Sequence, residues 1–218
     1  MFEAAIFDWD GTLADTRKVI VTSFQKALKE IDCKADSEFI QRRIGIGAAE
    51  TFREILRSAK RSFNQQLIEQ LVERKSAIEI ELTPKITLFQ GAAELLLALR
   101  GKLSVGLASM NNRAVIERSL QYLNLKECFQ VVLTAESINY SKPNPEIFLK
   151  TAVKLKTKPQ KCVVFEDSIF GVEATKRANM SCIAVTTGVY KKEELQTKKA
   201  DLIVESLQDP RILQLVLQ

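Results

Sequence analysis

The chain has 218 residues, 46% of them apolar and 27% charged, which is enough apolar material for a sizeable core and ordinary for a globular protein. Its 32 basic and 27 acidic residues leave a charge of +5, too small and dispersed to indicate nucleic acid, though of the sign that attracts a phosphate-bearing substrate. Histidine is absent, which removes histidine triads, phosphohistidine chemistry and histidine-ligated zinc.

In chain order, the first predicted strand is Ala4–Trp9. Its apolar start is cut short by Asp8, so it reads as neither a signal peptide nor a membrane span, and a cytoplasmic location is expected. From about Thr16 to Leu82 the pattern is helical. Ile20, Phe24, Ala27, Leu28 and Ile31 share one face, and Ile44, Thr51–Leu56 and Leu67–Ile80 continue it. Arg53, Arg57 and Arg61, with Lys60, are spaced as a solvated helix face. Pro84 and Gly91 then supply turn chemistry.

Beyond that point strands alternate with helices. The predicted strands are Ser104–Ala108, Val131–Thr134, Cys162–Phe165, Ile183–Thr186 and Leu202–Val204. The predicted helices are Ala92–Leu99, Arg113–Leu123, Pro145–Leu155, Ile169–Ala178 and Pro210–Val216. Such alternation implies a parallel sheet covered on both faces, an α/β core of residues 1–15 and 84–218 with an inserted helical domain at 16–83. Cys33, Cys128, Cys162 and Cys182 are far apart and form no C-x-x-C pair, so free thiols are expected.

The polar residues that end these strands carry the chemistry. Asp8 and Asp10, before Gly11 and Thr12, place two carboxylates at the carboxyl edge of a parallel sheet, where ligands bind in open α/β folds. Glu166 and Asp167 end a second strand, although Asp167 also suits a helix N-cap. Acidic residues converging from two strands repel one another unless a hard cation joins them, and magnesium suits a site of few carboxylates. Ser109 precedes a helix near Asn111, where a hydroxyl and free N–H groups can receive an anion. Lys142 lies between prolines' restrictions in Ser141-Lys142-Pro143-Asn144-Pro145, placed to neutralise a phosphoryl group.

Asp8-Trp9-Asp10-Gly11-Thr12, the strand ending in Ser109, Lys142-Pro143-Asn144-Pro145 and Glu166-Asp167-Ser168-Ile169-Phe170-Gly171, in this order, resemble the four motifs of the haloacid-dehalogenase superfamily. The likeness extends over the core, and the insert stands where capped members carry a helical cap. It implies a Rossmann-like core with an α-helical cap, and hydrolysis of a small phosphorylated metabolite, such as phosphoglycolate or a sugar phosphate, with Mg2+. Asp8 is then the nucleophile, Asp10 the acid and base, and Ser109 and Lys142 the phosphoryl-oxygen holders. Asp8, Asp10 through its carbonyl, and Asp167 are the metal ligands, with Glu166 an inner- or outer-shell helper. Thr12, Met110 and Asn111 are candidate substrate contacts, as are Arg42, Arg43, Gly45 and Gly47 in the cap. Neither nucleic acid nor membrane is an expected partner, and the chain is expected to act as a monomer or homodimer.

Asp10 argues against a dehalogenase, since those relatives usually lack the second aspartate. Phosphomutases of this type carry a histidine about ten residues beyond it, where this chain has Ile20, so hydrolysis is favoured. A pyrophosphatase is a further alternative. A scaffold protein that kept the fold would show damage in a motif, and none is visible. Asn179 stands where relatives have glycine and is suited to a left-handed helix terminus; Trp9 is expected in the core. Gly45-Ile46-Gly47 lacks the third glycine and preceding strand of a dinucleotide fingerprint and reads as a turn.

Overall fold

The computed structural model describes residues 1–218. In chain order the elements are β1 (Ala4–Phe7), β2 (Ala14–Asp15), α1 (Arg17–Lys29), α2 (Ser37–Gln41), α3 (Ala48–Ser58), α4 (Gln65–Leu82), β3 (Thr87–Leu88), α5 (Ala92–Leu99), β4 (Ser104–Ala108), α6 (Arg113–Tyr122), β5 (Val131–Leu133), α7 (Glu146–Lys154), β6 (Cys162–Glu166), α8 (Ile169–Arg177), β7 (Ser181–Val185), α9 (Lys192–Thr197), β8 (Leu202–Val204) and α10 (Pro210–Val216). Six strands form one parallel sheet in the order β5-β4-β1-β6-β7-β8, as the alternating pattern implied.

Alternation along β1 explains why the sheet is covered twice. Ala5 and Phe7 face a large apolar cluster that includes Leu95 and Leu99 of α5, Ile116 of α6 and Ile212 of α10. Ala4 and Ile6 face the opposite side, against Phe148 of α7 and Ala174 of α8. The rings of Phe7 and Phe165 stack at 4.3 Å, tying the two central strands side by side. Helices α1, α3 and α4 gather a separate apolar cluster around Phe24, Phe52, Leu56 and Ile68. No helix is long and apolar enough to cross a membrane.

Several local expectations shift. The first strand ends at Phe7 rather than Trp9, because both Leu13 and Ala14 return their N–H groups to the Trp9 carbonyl and fold residues 9–14 into a turn. Trp9 itself is fully buried in the core, as expected. The short β2 and β3 pair antiparallel, Ala14 with Leu88 and Asp15 with Thr87, and so hold the two chain crossings to the helical insert together. Two-residue strands have no periodicity to read, and neither these nor α9 emerges from the pattern. Arg61 leaves the expected helix face: α3 ends at Ser58, Lys60 turns left-handed at φ +53°, and Arg61 donates to the carbonyls of Ile31 and Asp32. Asn179 is left-handed at φ +56°, and all four cysteines are free thiols.

Phe165 is fully buried, so Phe165→Ala removes a stacked ring from the centre of the sheet. It is expected to lower unfolding free energy by about 3–5 kcal/mol in urea titration; a loss below about 1 kcal/mol contradicts this packing.

Candidate active site

Parallel register sets the height of the site. Phe7 is level with Leu107 and Phe165, so the next residues, Asp8 just beyond β1 and Glu166 at the last position of β6, stand at one edge of the sheet, with Ser109 one position beyond Ala108. Strand β1 has β4 on one side and β6 on the other, so the order reverses there and a crevice opens at its carboxyl end.

Lys142 reaches this crevice from the loop before α7 and is almost fully buried. Its Nζ donates to Asp8 Oδ1 at 2.6 Å and to Glu166 Oε1 at 2.7 Å, above the Phe148 ring. Burial alone lowers a lysine's pKa; here the two carboxylates outweigh it and the ammonium is held above its usual range. The second oxygen of Glu166 accepts the N–H groups of Asp167 and Ser168 and the Ser168 hydroxyl. Glu166 therefore has both oxygens engaged and fits the outer-shell role better than that of a metal ligand. Gly171 permits this approach, since a Cβ there would stand 1.7 Å from Glu166 Oε1. Ser168 caps α8 through the Gly171 N–H, the role that Asp167 had seemed suited to fill.

Asp167 accepts the Thr12 hydroxyl at 3.1 Å, which helps to orient that carboxylate. Gly11, at φ +90°, brings its backbone so close that a Cβ would lie 2.3 Å from Asp167 Oδ2. Burial raises Asp8 and Asp167 well above the ordinary carboxylate range. For Asp8 the Lys142 charge opposes that effect while Glu166 and Asp10 add to it; for Asp167, Glu166 and Asp8 add to it.

Asp10 leans the other way, toward the helical insert. Its Oδ2 accepts the Ser109 hydroxyl at 3.4 Å, and its buried Oδ1 has no hydrogen-bond partner. Burial raises its pKa, with Lys75 opposing. Ser109 in turn accepts the Asn111 N–H. No three acidic side chains converge on one point that could hold a metal by themselves. Asp8 and Asp167 are the pair with hard oxygen donors and surplus negative charge.

The insert contributes residues that the motifs did not reveal. Lys75 of α4 is buried, donates to Glu79 Oε2 at 2.6 Å and to Asn111 Oδ1 at 3.2 Å, and so joins the insert to the core. A signal for it existed: Ile68, Leu71, Lys75, Ile78 and Leu82 follow a spacing of three and four, which puts a lysine on the buried stripe. Burial raises the Glu79 pKa and Lys75 opposes it. A cavity of about 30 Å³ separates insert and core, walled by Asp10, Met110 and Asn111 of the core and by Ile20, Phe24, Arg43, Gly45, Gly47 and Lys75 among the insert residues. Arg42 lies outside it. Its guanidinium forks onto Glu194 of α9 and stacks over Tyr190, whose hydroxyl donates to the Arg42 carbonyl. The loop geometry sends Arg42 across to the core surface, where it bridges insert and core, while its neighbour Arg43 faces the cavity.

The model of haloacid dehalogenase-like hydrolases matches residues 5–185. A phosphorylated carbohydrates phosphatase of Thermotoga maritima is 32% identical over 183 residues, covering 83% of each chain. The beta-phosphoglucomutase of Bacillus subtilis is 29% identical over 192 residues, covering 85% of this chain and 84% of its own. Among solved structures, a hydrolase from Pseudomonas syringae superimposes with a TM-score of 0.90 at 26% identity, over 99% of this chain and all of the other. With four motif segments meeting at one sheet edge and these relatives on both sides of one reaction type, the chain belongs to the haloacid dehalogenase-like hydrolase family and is an enzyme of its phosphatase and phosphomutase branch.

Proposed function

We propose that the enzyme is a magnesium-dependent phosphatase that hydrolyses a small phosphomonoester through a phosphorylated Asp8. The observation that carries this reading is the arrangement of Asp8: one oxygen is clamped by Lys142, leaving the other free, beside an Asp10 that lines the cavity and whose buried Oδ1 has no partner. Residues 1–15 and 84–218 serve as the catalytic core in this reading, and residues 16–83 as its cap.

Asp8 Oδ2 attacks phosphorus, and the bond from phosphorus to the ester oxygen breaks. Asp10 gives a proton to the departing oxygen, a role suited to a carboxyl whose pKa burial has raised. Asp10 then takes a proton from water as the water attacks the same phosphorus, and the bond to Asp8 breaks to release phosphate. Ser109 and Lys142 hold phosphoryl oxygens throughout. Magnesium would be held by Asp8, Asp167 and the Asp10 carbonyl. The donor set fits: hard oxygens, few side-chain ligands, and two carboxylates whose pKa values are raised first by burial and further by their acidic neighbours, a strain that a cation would relieve. When bound, the ion supplies the positive charge that lets both carboxylates and a phosphoryl group share the site.

Hydrolysis is favoured over mutation by the cavity itself. Ile20 forms part of its wall at the position where the resemblance placed a histidine in phosphomutases, so a second acid-base group is replaced by an apolar side chain. About 30 Å³ also holds no more than one or two waters, far below the ~300 Å³ or more of a small-molecule site, so the cap opens to admit substrate.

With magnesium, phosphate release from sugar phosphates is expected, falling about a thousandfold or more in Asp8→Asn and lost on chelation. Isomerised sugar phosphate without free phosphate points instead to the mutase, and an active Asp8→Asn variant contradicts the nucleophile. The Arg42–Glu194 bridge is partly exposed, 38% and 33%, and is expected to latch the closed cap by at most about 1 kcal/mol. Glu194→Ala should therefore speed amide exchange of residues 43–47 by up to about fivefold; unchanged exchange argues that the bridge does not restrain the cap.

A further inference from the structure

We propose that the leaving group of the substrate is an uncharged, hydroxyl-bearing alcohol, and that Glu79 is the residue that enforces this choice. The inference rests on the phosphatase reading above and narrows it. Two cations wall the cavity, Lys75 and Arg43. Each already has a carboxylate from its own cap. The Lys75 ammonium and the Glu79 carboxylate are 4% and 1% exposed and 2.6 Å apart. Arg43 donates to Glu54, donates again to the Phe39 carbonyl and stacks over the Phe39 ring.

The remaining side chains facing the cavity are Asp10, the uncharged Thr51 and Asn111, and an apolar wall that includes Ile20, Phe24 and Ile44. A carboxylate or second phosphate on the leaving group would meet no free positive charge there and would stand near Asp10. To gain Lys75 it would have to break the buried pair and leave Glu79 uncompensated, which is costly away from water. A hydroxyl needs no such exchange. Lys75 has three N–H donors and spends one on Glu79 and one on Asn111, so one remains for an uncharged oxygen. Glu79 touches no substrate in this scheme and acts through Lys75 as a specificity-positioning residue.

The test compares kcat/KM for glucose 6-phosphate and glycerol phosphate with that for phosphoglycolate and fructose 1,6-bisphosphate, using p-nitrophenyl phosphate as reference. The unaltered enzyme should favour the uncharged leaving groups by about tenfold or more. Glu79→Gln should raise the relative value for the anionic esters by about tenfold, chiefly by lowering their KM. Glu54→Gln, at a carboxylate that is 35% exposed and so a safer change for folding, should move the ratio the same way by about twofold to threefold, and decides the matter if Glu79→Gln does not fold. A preference of the unaltered enzyme for anionic leaving groups, or a ratio moved by neither variant, overturns the proposal. Loss of Asp8-dependent p-nitrophenyl phosphate hydrolysis would remove the phosphatase reading and this inference with it, whereas hydrolysis with an unmoved ratio removes this inference alone.

Discussion

Lys142 is buried with its ammonium between Asp8 and Glu166, at 2.6 and 2.7 Å, and the arrangement of the remaining site groups depends on that placement. Two carboxylates at the ends of adjacent strands would repel in a water-poor crevice, and neither would hold a fixed orientation. One ammonium between them neutralises part of their charge and fixes one oxygen of Asp8, which leaves the other directed by default toward the crevice. Glu166 is held in turn by two backbone N–H groups and a hydroxyl at the start of α8, so the helix terminus, the glutamate, the lysine and the aspartate form one continuous chain of hydrogen bonds. A partly satisfied network of this kind is costly, and a complete one is rigid. The charge that Lys142 does not cover, on Asp8 and Asp167, is the feature that suits a hard divalent cation.

The fold delivers these groups with little local freedom. Asp8 and Glu166 share a level because β1 and β6 pair in register, and the stacked rings of Phe7 and Phe165 hold that register one residue below the chemistry. Gly11 and Gly171 lie where any side chain would overlap the Asp167 and Glu166 carboxylates, so the backbone itself forms part of the site wall. Asp10, the proposed acid and base, is separated from this rigid cluster. Asp10 faces the insert, where Lys75 and the loop of Gly45 and Gly47 line one cavity with the core residue Asn111, so in the proposed function the leaving group is met largely by the cap. In that proposal, opening for entry and closure for water exclusion are consequences of one geometry.

Much of this was legible in the chain. The alternation of strands and helices, the polar residues ending each strand and the long helical stretch between the first two motifs depend on local pattern, and the sheet, the cluster at its edge and the helical insert follow from them. Arg42 shows where local pattern stops: its partner Glu194 lies 152 residues away on a six-residue helix with almost no periodicity. Lys75 is an intermediate case. Its place on an apolar stripe marks it as buried, but that it meets Asn111, 36 residues on and in the other part of the molecule, depends on how cap and core close. Short segments such as the charged α9 and the β2–β3 ribbon owe their form to tertiary contacts rather than propensity.

The central claim is that Asp8 is transiently bonded to phosphorus, and the most direct measurement is acid-quenched rapid mixing of enzyme, magnesium and a sugar phosphate, followed by mass spectrometry of the peptide containing Asp8. A phosphorylated Asp8 that forms and decays at rates compatible with turnover is the expected result. Phosphate released in full while Asp8 remains unmodified at every quench time, with slow steps arranged to favour accumulation, would contradict it and return the reaction to direct attack by water.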